Sequence, residues 1–333
     1  MKKSALFFPL AIGAVMLAAT LLLAPGSGLA AKARLAFSGG PDGGTFQYFS
    51  NAISIRLSRN LADVDLSNMV SAGSVENLRR VNSGDADFGI VYAGDLYLGA
   101  NGRLTNDPRK YTDAQSMAYL YGAPAHLLVL ADSGINEVKG LEGKRVAVGP
   151  AGSGAAASAQ RYFTSLGLWE KIRVEYIGYS EGASALGDKK IDAMWVFAGF
   201  PNASVIQAAA SNRIRLLNLV EAAKASPFFS EHPYYAEVTI PAGTYSGVDY
   251  DVKSVQDSAI WVTGKHVKAD VVYNALKDIF SDEGLAYMRG ITKAANSMKI
   301  EDGSYGIATP LHPGAIKFWS EKGLTITDDQ AGK

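Results

Sequence analysis

The chain has 333 residues, 48% hydrophobic and 19% charged, a globular composition with enough length for one large or two medium domains. Its 32 Lys and Arg balance 32 Asp and Glu, and no basic stripe or run is present, which argues against nucleic-acid binding. It has no Cys, so disulfides, thiolate metal sites, cysteine nucleophiles and a lipid-modified cysteine are all excluded.

The chain opens with Lys2 and Lys3, an apolar run from Leu6 to Leu23, and a small-residue tail. This is the pattern of a secretory signal peptide over residues 1–33, with Ala31-Lys32-Ala33 as the cleavage site and Gly28-Leu29-Ala30 as a competitor. An uncleaved anchor is the alternative, since the run approaches bilayer length; Pro9 and the small-residue tail favour cleavage. A periplasmic protein is expected.

Arg34–Phe37 reads as a strand that runs into SGGPDGG, with four glycines, a Pro and an Asp in seven positions. From Thr45 to Leu61, Phe46, Phe49, Ile53 and Leu57 recur on one helical face. Asp65–Val70 is a strand, Ser74–Ser83 a helix, and Gly84–Asp87 a turn into the strand FGIVY. The same order returns further on. Lys144–Val148 is a strand entering GPAGSG; a helix spans Ala155 to Leu166; Arg173–Ile177 is a strand; Ser180–Leu186 begins a helix; and a turn ending at Asp192 enters AMWVF. Thr45 to Asp87 spans 42 positions and Ser153 to Asp192 spans 39. Two α/β lobes of one architecture follow, each opened by a glycine-rich strand-to-helix loop.

His126–Ala131 and Ser258–Thr263 read as strands that cross between the lobes as a double hinge. Helices near Asp270–Phe280 and Asp282–Gly290 would return to the first lobe, and the tail after Gly323 reads as frayed and polar.

In open parallel sheets ligands sit beyond the carboxyl ends of the strands, where both glycine loops fall. Glycine lets backbone approach a ligand closely, and a helix start offers unpaired N–H groups and the positive end of its dipole. Thr45 and Ser153 add hydroxyls. Two such ends facing one cleft would hold a small carboxylate without any Arg or Lys. The plain alternative for either loop is a cap and a turn. Neither loop has nucleotide-binding spacing.

The histidines, His126, His232, His266 and His312, are scattered without metal-ligand spacing. His126 reads as a core residue and His312 as a turn residue. Asp87 and Asp192, at equivalent strand entrances, read as turn residues. No nucleophile elbow is present, so no enzyme activity, metal or cofactor is expected. Tyr92 and Trp195 carry polar tips that could line a cleft, and Tyr245 lies in a Pro/Gly loop that could close over it or pack beside it.

GGPDGGTFQYF, SAGSVENLRRVNSGDADFGIV, LYGAPAHLLVL, DSGINEVKGLEGKRVAVGPAGSG, KIDAMWVFAGFP, IPAGTY and PLHPGAIKFWSEKG occur in that order. Together they resemble the TAXI proteins, the extracytoplasmic solute-binding proteins associated with TRAP transporters, from about Leu35 to Gly323. The resemblance implies an α/β, two-lobed periplasmic-binding-protein fold of the type II kind: two parallel-type sheets joined by a hinge, with a ligand cleft between them. Lobe 1 would comprise residues 34–128 and 256–333, and lobe 2 residues 129–255. It further implies a monomer that captures a small organic acid and delivers it to a TRAP-type membrane permease. A sensor of the same fold that signals to a membrane partner is the alternative.

Carried over by position, the first loop is Gly43, Gly44, Thr45 and Phe46, with Ser74 and Asn77 at the next helix start. The second loop contributes Ser153 and Gly154, and the A-G-x-P turn contributes Gly199. Tyr92, Trp195 and Tyr245 complete the expected site. The ligand carboxylate would meet N–H groups at Gly44–Phe46 and Ser153–Gly154. Tyr92-Ala93 stand where the family often has Gln-Ser, Tyr121-Gly122-Ala123-Pro124 where it often has Y-P-E-P, and Ala155 where it often has Thr. Those changes point away from glutamate and toward an oxo acid, a dicarboxylate or a bulkier acid.

Overall fold

The structure, a computed structural model, describes residues 32–333. The expected signal peptide lies outside the described residues except for Lys32 and Ala33; Ala33 is already the first residue of strand β1 and pairs with Val64.

The first half runs β1 (Ala33–Ser38), α1 (Thr45–Asn60), β2 (Val64–Met69), α2 (Ser74–Ser83), β3 (Phe88–Tyr92) and α3 (Ala93–Ala100). The long strand β4 (Ala114–Leu130) follows. The second half runs β5 (Arg145–Ala147), α4 (Gly154–Ser165), β6 (Arg173–Glu175), α5 (Tyr179–Gly187), β7 (Ala193–Phe197) and α6 (Ala203–Ser211). Next come β8 (Ile214–Leu216), α7 (Val220–Lys224), α8 (Phe228–Glu231), β9 (Ala236–Ile240) and the second long strand, β10 (Val252–Gly264). The chain closes with α9 (Ala269–Ile279), α10 (Asp282–Ile291), α11 (Pro313–Glu321) and α12 (Asp328–Ala331).

Strand order is β2-β1-β3-β10-β4-β7-β5-β6, with β8 on β4 and β9 on β10. β1, β2 and β3 are parallel, as are β5, β6 and β7. The long strands run antiparallel to their neighbours, so each sheet is mixed where parallel sheets were expected. The reason is topological: a strand that crosses between lobes re-enters its sheet in the reverse direction.

The lobes separate where the long strands change partners. Pro124 of β4 lies opposite Gln256 of β10, and the next residue, Ala125, pairs with Phe197 of β7. Proline has no N–H for a ladder, and it stands where β4 leaves one ladder for another. Its carbonyl accepts a bond from Ala198 N–H at 3.2 Å.

The internal repeat extends to single atoms. Asp87 Oδ2 accepts from Ala36 N–H at 2.7 Å, and Asp192 Oδ2 accepts from Arg145 N–H at 2.8 Å. Each Asp N–H in turn donates to the carbonyl of that same partner, at 2.9 Å in both lobes. Both aspartates are therefore clamps between neighbouring parallel strands.

Phe46, Phe49, Ile53 and Leu57 are all buried, in line with their spacing on α1. On its outer side α1 meets α9 through Arg56 Nε and Asp278 Oδ2, 2.8 Å apart. The tail differs from the frayed end expected: Thr327 and Gln330 form a capping box on α12, and Gln330 Nε2 donates to Ile307 O at 3.0 Å. A buried Gln with its own carbonyl partners holds the C-terminal turn down.

Candidate functional site: the cleft between the lobes

Several helices begin at the carboxyl ends of the parallel strands, and four of them, α1, α2, α4 and α5, start on a single cleft. Lobe 1 lines it with Pro41, Gly44, Thr45, Phe46, Ala72–Ser74 and Tyr92; lobe 2 with Gly154, Ala155, Tyr179, Phe197 and Ala198. The starts of α1 and α2 have Gly44 and Gly73 as caps, with no side-chain cap bond. Their first N–H groups have no intrahelical acceptor. Gly43 holds φ at +75°, and a Cβ there would run into Ser204 Oγ of lobe 2.

Hydrogen bonds cross the cleft directly. Tyr92 OH donates to Phe197 O at 2.5 Å, Thr45 Oγ1 to Gly199 O at 3.3 Å, and Asn202 Nδ2 to Gly43 O at 2.9 Å. Burial pushes the Tyr92 phenol well above its ordinary pKa, so it remains a donor. Phe46 stacks at a tilt on Tyr92 with centroids 4.7 Å apart, and Phe197 meets Tyr92 edge-on at 4.8 Å. What remains open among these cleft residues is about 10 Å³, roughly the space of one water. This is a shut cleft whose centre is filled by aromatic rings.

No Arg or Lys lines the cleft itself, but an ion pair stands directly behind it. Arg161 of α4 reaches across to Asp95 of α3, Nη2 to Oδ1 at 2.8 Å, and the two side chains are 7% and 0% exposed. Asp95 Oδ2 also accepts from Ser74 Oγ at 2.6 Å, and that hydroxyl accepts from Tyr92 N–H at 2.9 Å. A carboxylate of the protein itself therefore sits at the start of α2 and beside Gly154 of α4. A Cβ on Gly154 would stand 2.5 Å from Ser74 Cβ and 2.7 Å from Asp95 Oδ2. Burial opposes the charge on Arg161, but Tyr235, Asp95 and Tyr234 around it outweigh that and hold its pKa up. Asp257 of β10, also buried, accepts from Gly94 N–H at 3.0 Å; burial, then Asp95, raises its pKa to about 7.

Gly44, Thr45, Phe46, Ser74, Tyr92 and Gly154 thus come together on the cleft, and Gly43 and Gly199 touch the opposite lobe through their carbonyls. The others are placed elsewhere. Asn77 is enclosed by Ser38, Ser71, Gly39 O and Ile90 O, which use its amide fully. Trp195 donates to Ser158 Oγ at 2.9 Å inside the lobe 2 core, and Phe197, two residues on, faces the cleft instead. Tyr245 OH accepts from Asn202 N–H and bonds His126 Nε2, each at 2.9 Å, so it braces the hinge. Ser153 Oγ accepts from Ala156 N–H at 3.0 Å and caps its own helix. His126 is a core residue: burial lowers its pKa to about 4. His312 caps α11.

Asp95, Arg161, Tyr179 and Asp257, at or behind the cleft, are not among the residues expected from the sequence. A polar signal existed for Asp95, an acid in the first turn of a helix that follows a buried strand.

Residues 37–323 match the NMT1-like family. The malate-bound MatC protein of Rhodopseudomonas palustris aligns over 87% of this chain and 96% of its own, at 14% identity and a TM-score of 0.51. The binding-protein component of an ABC phosphonate transporter from Pseudomonas aeruginosa aligns over 79% of both chains, at 10% identity and a TM-score of 0.52. The alkanesulfonate-binding protein SsuA from Xanthomonas axonopodis pv. citri, bound to MOPS, covers 88% of this chain and 91% of its own, at 15% identity and a TM-score of 0.48. The likeness to the first two is one of fold: the α/β, two-lobed periplasmic-binding-protein architecture with a mixed sheet. The family match takes in nearly all the described residues, and the chain belongs to the NMT1-like family.

Proposed function

We propose that this chain is an extracytoplasmic solute receptor of the TAXI kind, which captures a small organic acid between its lobes and delivers it to a TRAP-type membrane permease. The observation that carries the reading is the convergence of helix starts from both lobes on one cleft, closed by bonds that run from lobe to lobe. Such ends attract an anion. In this reading the solute carboxylate meets the N–H groups at Gly44–Phe46, Ser74 and Gly154. The lobes part to admit it and re-close around it with the Tyr92 and Phe197 side chains swung aside, and the Tyr92 hydroxyl exchanges Phe197 O for the solute. The solute binds best when both lobes touch it, and so shifts the population toward the closed form. An oxo acid or dicarboxylate suits a cleft whose own acid, Asp95, is already committed to Ser74 and Arg161. Export by the signal peptide over residues 1–33 belongs to the same reading.

Native mass spectrometry of the protein purified from its own cells, followed by denaturation, tests this. A stoichiometric organic acid is the expected result. Stoichiometric release of a neutral or cationic solute from the cleft would overturn the ligand class.

A further inference from the structure

A groove of about 560 Å³ opens beside the hinge and shares no lining residue with the shut cleft. That volume is in the range of small-molecule sites, roughly 300–1,000 Å³. Its walls are aromatic and come from both lobes: Tyr97 from α3 and Tyr305 from the C-terminal segment on one side, Tyr234 from the segment before β9 on the other. Tyr97 is 37% exposed and Tyr305 55% exposed, large apolar faces turned to solvent. Gln256, Asp257 and Ser304 add polar groups.

The charge balance in the groove is uneven. Asp257 is 2% exposed and, among the described residues, accepts from the backbone N–H groups of Gly94, at 3.0 Å, and Ser258, at 2.7 Å, and from no other donor. Arg161 is spent on Asp95, and no ion pair to Asp257 occurs among the described residues. The groups facing Asp257 are Asp95 of α3, Arg161 of α4, Tyr92 of β3, and Tyr234 and Tyr235. A carboxylate keeps two further lone-pair directions after two N–H bonds. A buried carboxyl without a counter-ion favours either a proton or a cation.

We propose that this groove is a second ligand site, for a small molecule with an ammonium group on an apolar body. Asp257 is the counter-ion, and Tyr97 and Tyr305 are the walls that take the apolar body and the face of the cation; Tyr234, whose ring already faces the Arg161 guanidinium 5.9 Å from its centroid, closes the other side. The site is separate from the acid-binding cleft. Because both lobes wall it, its occupancy is coupled to lobe closure and hence to the cleft.

The test is calorimetric titration of benzylamine into the full mature chain at pH 8, with benzyl alcohol and benzoate as neutral and anionic comparisons. The proposal expects saturable benzylamine binding, about tenfold or more tighter than benzyl alcohol, and none for benzoate. Asp257→Asn weakens benzylamine by about tenfold or more, and Tyr305→Ala, an exposed change that leaves the fold intact, weakens it severalfold. No benzylamine binding, equal binding of benzyl alcohol, or binding unchanged in both variants would overturn it. Should Asp257→Asn fail to fold, Tyr305→Ala and the neutral comparison decide alone.

Discussion

The two lobes repeat one chain order and one aspartate clamp, yet they begin their first helices differently. In lobe 1 the residue before α1 is Gly44, which brings no side chain, so no cap side chain takes up the N–H groups of Thr45 and Phe46 among the described residues. In lobe 2 the residue before α4 is Ser153, whose hydroxyl already accepts from Ala156 N–H. The paired glycine loops are therefore not equal halves of a cradle. Lobe 1 leaves its first helix without a side-chain cap; both lobes contribute aromatic rings, and lobe 2 adds Arg161, which reaches across to Asp95. A duplicated scaffold can divide binding labour through a single cap residue.

Breaking that division at Arg161 should have the largest effect. Arg161→Met leaves Asp95 buried without its cation, and such losses cost about 3–5 kcal/mol; equilibrium denaturation should read that destabilisation. The double variant Asp95→Leu/Arg161→Met should recover much of it, because the unpaired charge is gone. Recovery of none would place the loss in packing rather than charge.

The hinge brace gives the next effect, and it depends on pH. His126 is held neutral, with its pKa lowered to about 4 from 6.5. Its contribution is complete above pH 6.5 and is lost as pH falls toward 4, by up to about 1.4 kcal/mol per unit. Asp257 acts in the opposite sense: its pKa is raised to about 7, so its ionisation costs stability as pH rises from about 4 to 7. The difference in stability between wild type and His126→Gln, followed across pH, isolates the histidine. That difference should narrow as pH falls from 6.5 to 4.

Gly154→Ala comes third. Its backbone is not in the left-handed region, so the added methyl strains nothing within lobe 2; it meets Ser74, Asp95 and Tyr92 of lobe 1. Overpacking of this kind costs about 1–3 kcal/mol, and it should fall on closure. Solute affinity should drop about 10–100-fold, read by titration.

Ser153→Ala should be the mildest. It removes a helix cap, worth about 1 kcal/mol of stability, and it should leave solute affinity nearly unchanged in a titration. A large affinity loss would return Ser153 to the ligand.

Much of this fold was legible because local signals agreed with it. The amphipathic face of α1, the two glycine loops and the two aspartate turns each implied a strand-helix-strand unit, and their recurrence implied two lobes. Asp87 and Asp192 were recognisable as equivalent from position alone. The cleft was less legible because its chemistry is long-range. Arg161 meets Asp95 across 66 positions, and nothing in the alanine-rich α4 announces which of its faces turns outward. Helix α3, which carries Asp95, is the short stretch AGDLYLGA with glycines at two positions, a weak helix by propensity. Asn77 misled in the other direction. It looked available at a helix start, but Ser38, Ser71 and two carbonyls use its amide in the core of lobe 1. Thr45 and Ser74 do reach the cleft, whereas the amide of Asn77 is used up in packing.

The central claim is that the lobes close over a solute, and an inter-lobe distance measures that directly. The chain has no Cys, so single cysteines at Tyr48 of lobe 1 and Ile206 of lobe 2, 44% and 49% exposed, accept a dye pair cleanly. Single-molecule energy transfer should show open and closed populations, with added organic acid shifting molecules into the closed one. One fixed distance, unmoved by any small acid that the protein binds, would contradict the account.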